Sequence, residues 1–140
     1  MKNILIVCTA NKTRSVMAMA LANFIAHKSG KAGGFNFDSA GIAAMGSEVD
    51  EIARLVLSEA GIESAHTPVH FSKVNISAFD EIHVMTLRHK TALCSYHKED
   101  TGLEEKIHIL GVEDPFGKAK EAYHECLEKL REFYETFING

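Results

Sequence analysis

An α/β fold is what this chain predicts: a single domain, residues 1–140, on a four-stranded parallel sheet with helices on both faces. Three observations predict it. Short apolar runs alternate with stretches of helical periodicity along the whole length. The first run, Ile4-Leu5-Ile6-Val7, is apolar throughout, as a strand covered on both faces must be. Turn and stop residues, Gly33-Gly34 and Gly61 among them, separate the segments. Such alternation calls for right-handed crossovers and puts a ligand site beyond the carboxyl ends of the strands.

Each element follows in order. Lys2–Val7 reads as the first, central strand. Ser15 is a cap residue for a helix running to about Lys28, where Lys31-Ala32-Gly33-Gly34 breaks the pattern. Phe35–Ala40 alternates apolar and polar residues as a second strand, closed by Gly41. From Glu48 to Ala60, Val49, Ile52, Ala53, Val56, Leu57 and Ala60 recur at helical spacing. Glu81–Met85 reads as a third strand, followed by a helix from Leu87 to His97. Lys106–Leu110 reads as the fourth strand. The last helix, Lys118–Ile138, places Tyr123, Cys126, Leu127, Leu130, Phe133, Tyr134 and Phe137 on one stripe.

Composition narrows the function classes. With 46% hydrophobic and 24% charged residues, the chain is an ordinary globule with enough length for a proper core. A net charge of −4 gives no basic footprint for nucleic acid. The N-terminal apolar run is too short for a signal peptide, and no segment approaches a membrane span, so a cytoplasmic location is expected. Three cysteines, an odd number, do not make a disulfide framework. A reducing compartment fits.

Cys8 carries the most information. It ends the first apolar run and stands six positions before Arg14 in Cys8-Thr9-Ala10-Asn11-Lys12-Thr13-Arg14-Ser15. A thiol where a buried strand hands over to a helix faces backbone N–H groups and the positive end of the helix dipole. Those surroundings favour negative charge on the sulfur and on a bound anion alike. The Cys-x5-Arg spacing alone is weak; a buried cysteine closing a core strand would satisfy it too. The preceding strand, the following helix and the small or polar loop residues supply what a phosphate cradle needs. Arg14, helped by Lys12, would provide the local positive charge.

The second landmark is Asp114-Pro115-Phe116-Gly117, just after the fourth strand. Alone, Asp-Pro-x-Gly reads as a surface turn. Here it begins at the carboxyl end of a strand, the sheet edge that also carries Cys8. A carboxyl group there can protonate a leaving group and later take a proton from attacking water, as a phosphocysteine mechanism requires.

In these residues the chain resembles the low-molecular-weight protein tyrosine phosphatases and their relatives. The resemblance spans nearly the whole length. Beyond the Cys8–Ser15 loop it rests on Met17-Ala18, Ala20-Leu21, Asp38-Ser39-Ala40-Gly41, Gly61-Ile62 leading to His66, Val84-Met85, and Asp114-Pro115-Phe116-Gly117. It implies Cys8 as nucleophile, Arg14 as a fork on two phosphoryl oxygens, and Asp114 as acid and then base. Backbone N–H groups from Thr9 through Ala10, Asn11, Lys12 and Thr13 to Arg14 would surround the remaining charge. Ser15 would donate a hydrogen bond to the Cys8 sulfur, while Asn11, Ser39 and His66 would hold the loop. Asn11 suits a left-handed backbone position. A phosphorylated protein is the implied partner, with inorganic phosphate or another oxyanion in the loop.

Departures from the family pattern bear on specificity. Ala10 stands where a glycine is usual, Thr13 where a second cysteine often protects the nucleophile, and Val16 where proline is usual. Lys12 matches neither the aliphatic residue of the tyrosine phosphatases nor the threonine of protein-arginine phosphatases. Its charge should disfavour a phosphorylated guanidinium, and Phe116 offers an apolar wall to an aromatic substrate. Phosphotyrosine is therefore the expected substrate. Met85-Thr86 with His89-Lys90, and Asp114-Pro115-Phe116-Gly117, resemble the arginine-phosphatase branch, which is the alternative.

Two rivals fit less well. Thioredoxin-coupled arsenate reductases need two relay cysteines after the third strand, where Arg88 stands and only Cys94 is near, with Cys126 in the last helix. A phosphocysteine carrier of a sugar-transport system needs neither Arg14 nor Asp114. The eight histidines show no ligand spacing: Pro68 interrupts His66 and His70, and His124 and Cys126 diverge on a helix. No metal and no cofactor are expected.

Overall fold

The computed structural model describes residues 1–44, 46 and 48–140. Four parallel strands form one sheet: β1 Lys2–Cys8, β2 Phe35–Gly41, β3 Glu81–Val84 and β4 Ile107–Ile109. Their order is β2-β1-β3-β4, so β1 is interior as expected. Among the described residues five helices accompany them: α1 Arg14–Lys28, α2 Glu51–Glu59, α3 Leu87–Tyr96, α4 Leu103–Lys106 and α5 Lys120–Asn139. Short 3-10 turns occupy Ala32–Gly34, Phe71–Lys73 and Ile76–Ala78.

The continuous apolar run of β1 is explained by two cores. Ile4, Ile6 and Cys8 point to one face, among Met17, Leu21 and Ile25 of α1, Val56 and Leu57 of α2, and Tyr123, Leu130 and Tyr134 of α5. Leu5 and Val7 point to the other, against Phe71, Ile76, Phe79, Leu93 and Leu103. Period-two alternation puts Cys8 on the side of α1 and α5. All of Ile4–Val7 is fully buried.

Several boundaries differ from the sequence reading by a residue or more; four differences are instructive. α1 begins at Arg14, one residue before the expected cap, and Ser15 is fully buried in its first turn. Its hydroxyl is engaged with the loop instead of capping the helix. α2 begins at Glu51 rather than Glu48, because Asp50 is its cap and accepts from Ile52 N at 3.0 Å. The fourth strand shrinks to Ile107–Ile109 because residues 103–106 coil into α4. α5 starts at Lys120, two residues late, and buries Tyr123, Cys126, Leu127, Leu130 and Tyr134, while Phe133 and Phe137 pack on the core partly exposed.

Candidate active site

The loop between β1 and α1 lies at the carboxyl edge of the sheet, and β2 shapes it from one side. Past its paired residues, β2 continues as Ile42 N donating to Cys8 O (3.0 Å) and Ala43 N to Thr9 O (2.8 Å). Gly41 is where the two backbones meet. A Cβ there would stand 2.6 Å from Thr9 O and 2.8 Å from Asn11 N, so only glycine fits.

Asn11 turns the loop. It takes φ 57°, the left-handed conformation expected for it, and its side chain is buried. Its amide orientation follows from its partners. Val69 N can only donate and lies 2.9 Å from Oδ1, so Oδ1 accepts, as it does from His66 Nε2 at 2.7 Å. Nδ2 then donates to Ser39 Oγ (2.9 Å) and to Ser15 Oγ (2.7 Å). Asn11, Ser39 and His66 thus form one network, with Ser39 Oγ 3.3 Å from His66 Nε2. Burial lowers the His66 pKa, against a small opposing effect of Asp38, which suits a neutral ring donating from Nε2.

The chain of donors ends at sulfur. Ser15 Oγ, already accepting from Asn11, lies 2.9 Å from Cys8 Sγ. Toward a thiolate at Cys8, its own proton would be directed at the sulfur.

Arg14 is buried, at 5% exposure, with Nη1 donating to Val112 O (3.0 Å) and Nη2 to Thr9 Oγ1 (3.4 Å). Nη2 is also 3.7 Å from Asp114 Oδ2. Asp114 is half-exposed, and its Oδ1 accepts from Phe116 N at 3.1 Å, which closes the turn and orients the carboxyl group. The ring of Phe116 stands out into solvent, 66% exposed. A cleft of about 300 Å³ behind this turn is lined by Asp114, Pro115, Lys118, Glu125, Cys126 and Lys129.

Two more residues of the loop make contacts outside it. Thr13 Oγ1 donates to Asp50 Oδ2 (2.9 Å), which also accepts from Tyr123 OH (2.6 Å), while Asp50 N donates to Lys12 O (2.9 Å). Asp50 thereby ties the loop to α2 and α5. Because the Thr13 hydroxyl is spent on Asp50, no side chain caps α1, and its first N–H groups are left for an anion. Lys12 is half-buried, its Nζ 3.3 Å from where a Cβ on Gly46 would stand. Ala10 is half-buried at the back of the loop, beside Gly41.

Comparison with known proteins decides the family. A sequence model described as low molecular weight phosphotyrosine protein phosphatase matches residues 3–139. The chain belongs to that family. A protein-arginine-phosphatase of Geobacillus stearothermophilus is 35% identical over 97% of this chain and 90% of its own length. Among solved structures, a mutant of YwlE from Bacillus subtilis superposes with a TM-score of 0.90 at 27% identity, covering 99% of this chain and 97% of that one. A low molecular weight protein tyrosine phosphatase from T. tengcongensis gives 0.88 at 29% identity, covering 99% of each. The phosphatase family and its four-stranded parallel fold are both as the sequence indicated.

Asp50 and His89 were not foreseen as site residues. Asp50 had a local signal, an acidic cap ahead of a helical periodicity, but the expected helix start at Glu48 obscured it. In the sequence His89 stands out only as part of the segment resembling the arginine-phosphatase branch; its Nε2 lies 2.9 Å from Thr9 Oγ1, a contact across 80 residues. His66 and His70 go separate ways, the first to Asn11 and the second to Ser72. No helix among the described residues is long and apolar enough to cross a membrane.

Proposed function

We propose that this phosphatase works through a phosphocysteine on Cys8 and that its substrate residue is phosphoarginine in proteins. The mechanism rests on one convergence: the Cys8 sulfur, the uncapped N-terminus of α1, the Arg14 fork and the Asp114 carboxyl group share one sheet edge. In the first step the Cys8 thiolate forms a bond to phosphorus as the bond to the leaving nitrogen breaks. Asp114 gives that nitrogen its proton. Two Arg14 N–H groups and the loop amides take the charge on the equatorial oxygens. In the second step a water oxygen attacks phosphorus, Asp114 takes its proton, and the sulfur departs as a thiolate held by the Ser15 hydroxyl. Orthophosphate is released.

Substrate class is the finer matter. The relative named protein-arginine-phosphatase, 35% identical along nearly all of the chain, favours phosphoarginine. Lys12, expected to repel a guanidinium, has its amine beside Gly46. The half-exposed Asp114 also suits a cationic leaving group. Phosphotyrosine is the second reading, because Phe116 presents an exposed ring two residues beyond Asp114 on which an aromatic substrate could stack.

One peptide sequence carrying either phosphoarginine or phosphotyrosine separates the two. The proposal expects kcat/KM for phosphate release to favour phosphoarginine by at least about tenfold; a preference for phosphotyrosine would hand the case to the second reading.

A further inference from the structure

Thr9, expected to serve through its backbone N–H, has a side chain on which two donors meet. His89 Nε2 lies 2.9 Å from Thr9 Oγ1, and Arg14 Nη2 lies 3.4 Å from the same atom. The far side of the imidazole fixes the direction of the first bond. Thr86 N can only donate, and it stands 3.1 Å from His89 Nδ1. Nδ1 is therefore the bare nitrogen, and Nε2 carries the proton that goes to Thr9.

His89 is buried at 2% exposure. Burial first, then the charges of Arg14 and Arg88, lower its pKa to about 4, with Asp114 opposing. The ring is neutral at physiological pH, as the bond from Thr86 N requires. Both lone pairs of Thr9 Oγ1 then face donors. Its own O–H proton has no protein acceptor among the described residues. Thr9 is the first loop residue after Cys8, and its hydroxyl touches Arg14, so that proton is free for an anion held by the loop.

We infer that His89 is a positioning residue: it fixes the Thr9 hydroxyl as a side-chain donor to the phosphoryl oxygens in the loop and braces the Arg14 fork through the same oxygen. This rests on the phosphatase reading above and adds to it a donor from the third crossover, supplied through α3. A purely structural His89 would close the N-terminus of α3 through Thr86 and leave anion binding unchanged.

The test is a double-mutant cycle on the full chain with Thr9→Val, His89→Ala and the pair. The readouts are orthovanadate affinity, kcat and KM for p-nitrophenyl phosphate, and Tm. Thr9→Val is expected to weaken vanadate binding and kcat/KM by about ten- to a hundredfold, the range for a hydrogen bond to a charged acceptor. His89→Ala should do the same in the wild-type background but cost less than about twofold in the Thr9→Val background. Thr9→Ser and His89→Gln, which keep the hydroxyl and an N–H donor, should recover most of the loss. Additive losses overturn the inference, as does a His89→Ala variant that loses Tm but keeps vanadate affinity. If His89→Ala does not fold, Thr9→Val against Thr9→Ser decides, and equal affinities overturn it. Should the wild-type protein hydrolyse no phosphorylated substrate, the phosphatase reading falls on its own. The vanadate affinities still settle the coupling of His89 to Thr9.

Discussion

The Ser15 hydroxyl stands 2.9 Å from the Cys8 sulfur with Asn11 Nδ2 donating to it from behind at 2.7 Å. Since the Asn11 amide is itself oriented by Val69 N and His66, Ser15 accepts from it and can give its one proton to a Cys8 thiolate. That arrangement matters most when sulfur is the leaving group. Ser15→Ala should slow the second step by about ten- to a hundredfold. Stopped-flow with p-nitrophenyl phosphate would read it as a larger burst of p-nitrophenol before a slower steady state. An unchanged steady-state rate would deny Ser15 this part.

Asp114 as general acid makes a graded prediction. In Asp114→Asn, kcat/KM for phenyl phosphate should fall by at least about a hundredfold, within the usual range for losing a general acid. Aryl phosphates with acidic phenols need less help and should lose far less. Equal losses across the leaving-group series would exclude the proton transfer.

Gly41 tests the shape of the loop separately from its chemistry. A methyl group there meets Thr9 O and Asn11 N, both backbone, at under 3 Å, so the loop must shift. Gly41→Ala should cost about 1–3 kcal/mol of stability, as overpacking does, and reduce kcat/KM along with it. Gly61, at φ +80° with nothing near its missing Cβ, is the control. Gly61→Ala should lower Tm through backbone strain yet leave kcat/KM unchanged.

Acid should destabilise the fold through two buried histidines. His83 is fully buried; burial lowers its pKa from 6.5 to about 4 despite the Glu81 carboxylate at 3.2 Å, and His89 is lowered equally. Between those values the unfolded chain binds protons that the folded chain refuses, so stability rises with pH across that window and is lost as pH falls. The slope is roughly 1.4 kcal/mol per pH unit for each histidine at most. Urea midpoints should drop from pH 7 to pH 5, and His83→Gln should flatten the curve. A midpoint independent of pH in that range would contradict the burial argument.

Cys8, Arg14 and Ser15 were legible because one loop of eight consecutive residues carries them, flanked by an unbroken apolar strand and a helical run. Asp114 was legible through the strand that precedes it. The left-handed backbone at Asn11 followed from its place in the family's loop together with its residue type. What escaped was either masked by a misplaced boundary or joined over long separations. Ser15 reads in the sequence both as a cap and, by resemblance, as a neighbour of the sulfur; it lies buried beside Cys8 and caps nothing. Asp50 reaches Tyr123 across 73 residues, and His89 reaches Thr9 across 80. Periodicity reports which face of an element is covered; it does not say which side chain waits on the other crossover.

The central claim is a covalent bond between the Cys8 sulfur and phosphorus, and trapping it is the most direct test. Asp114→Ala mixed with p-nitrophenyl phosphate and quenched in acid should carry one added phosphoryl group, which peptide mapping places on Cys8. Cys8→Ser should hydrolyse nothing while still binding orthovanadate. A protein that turns over substrate with Cys8 replaced, or an adduct that maps to another residue, would contradict the account.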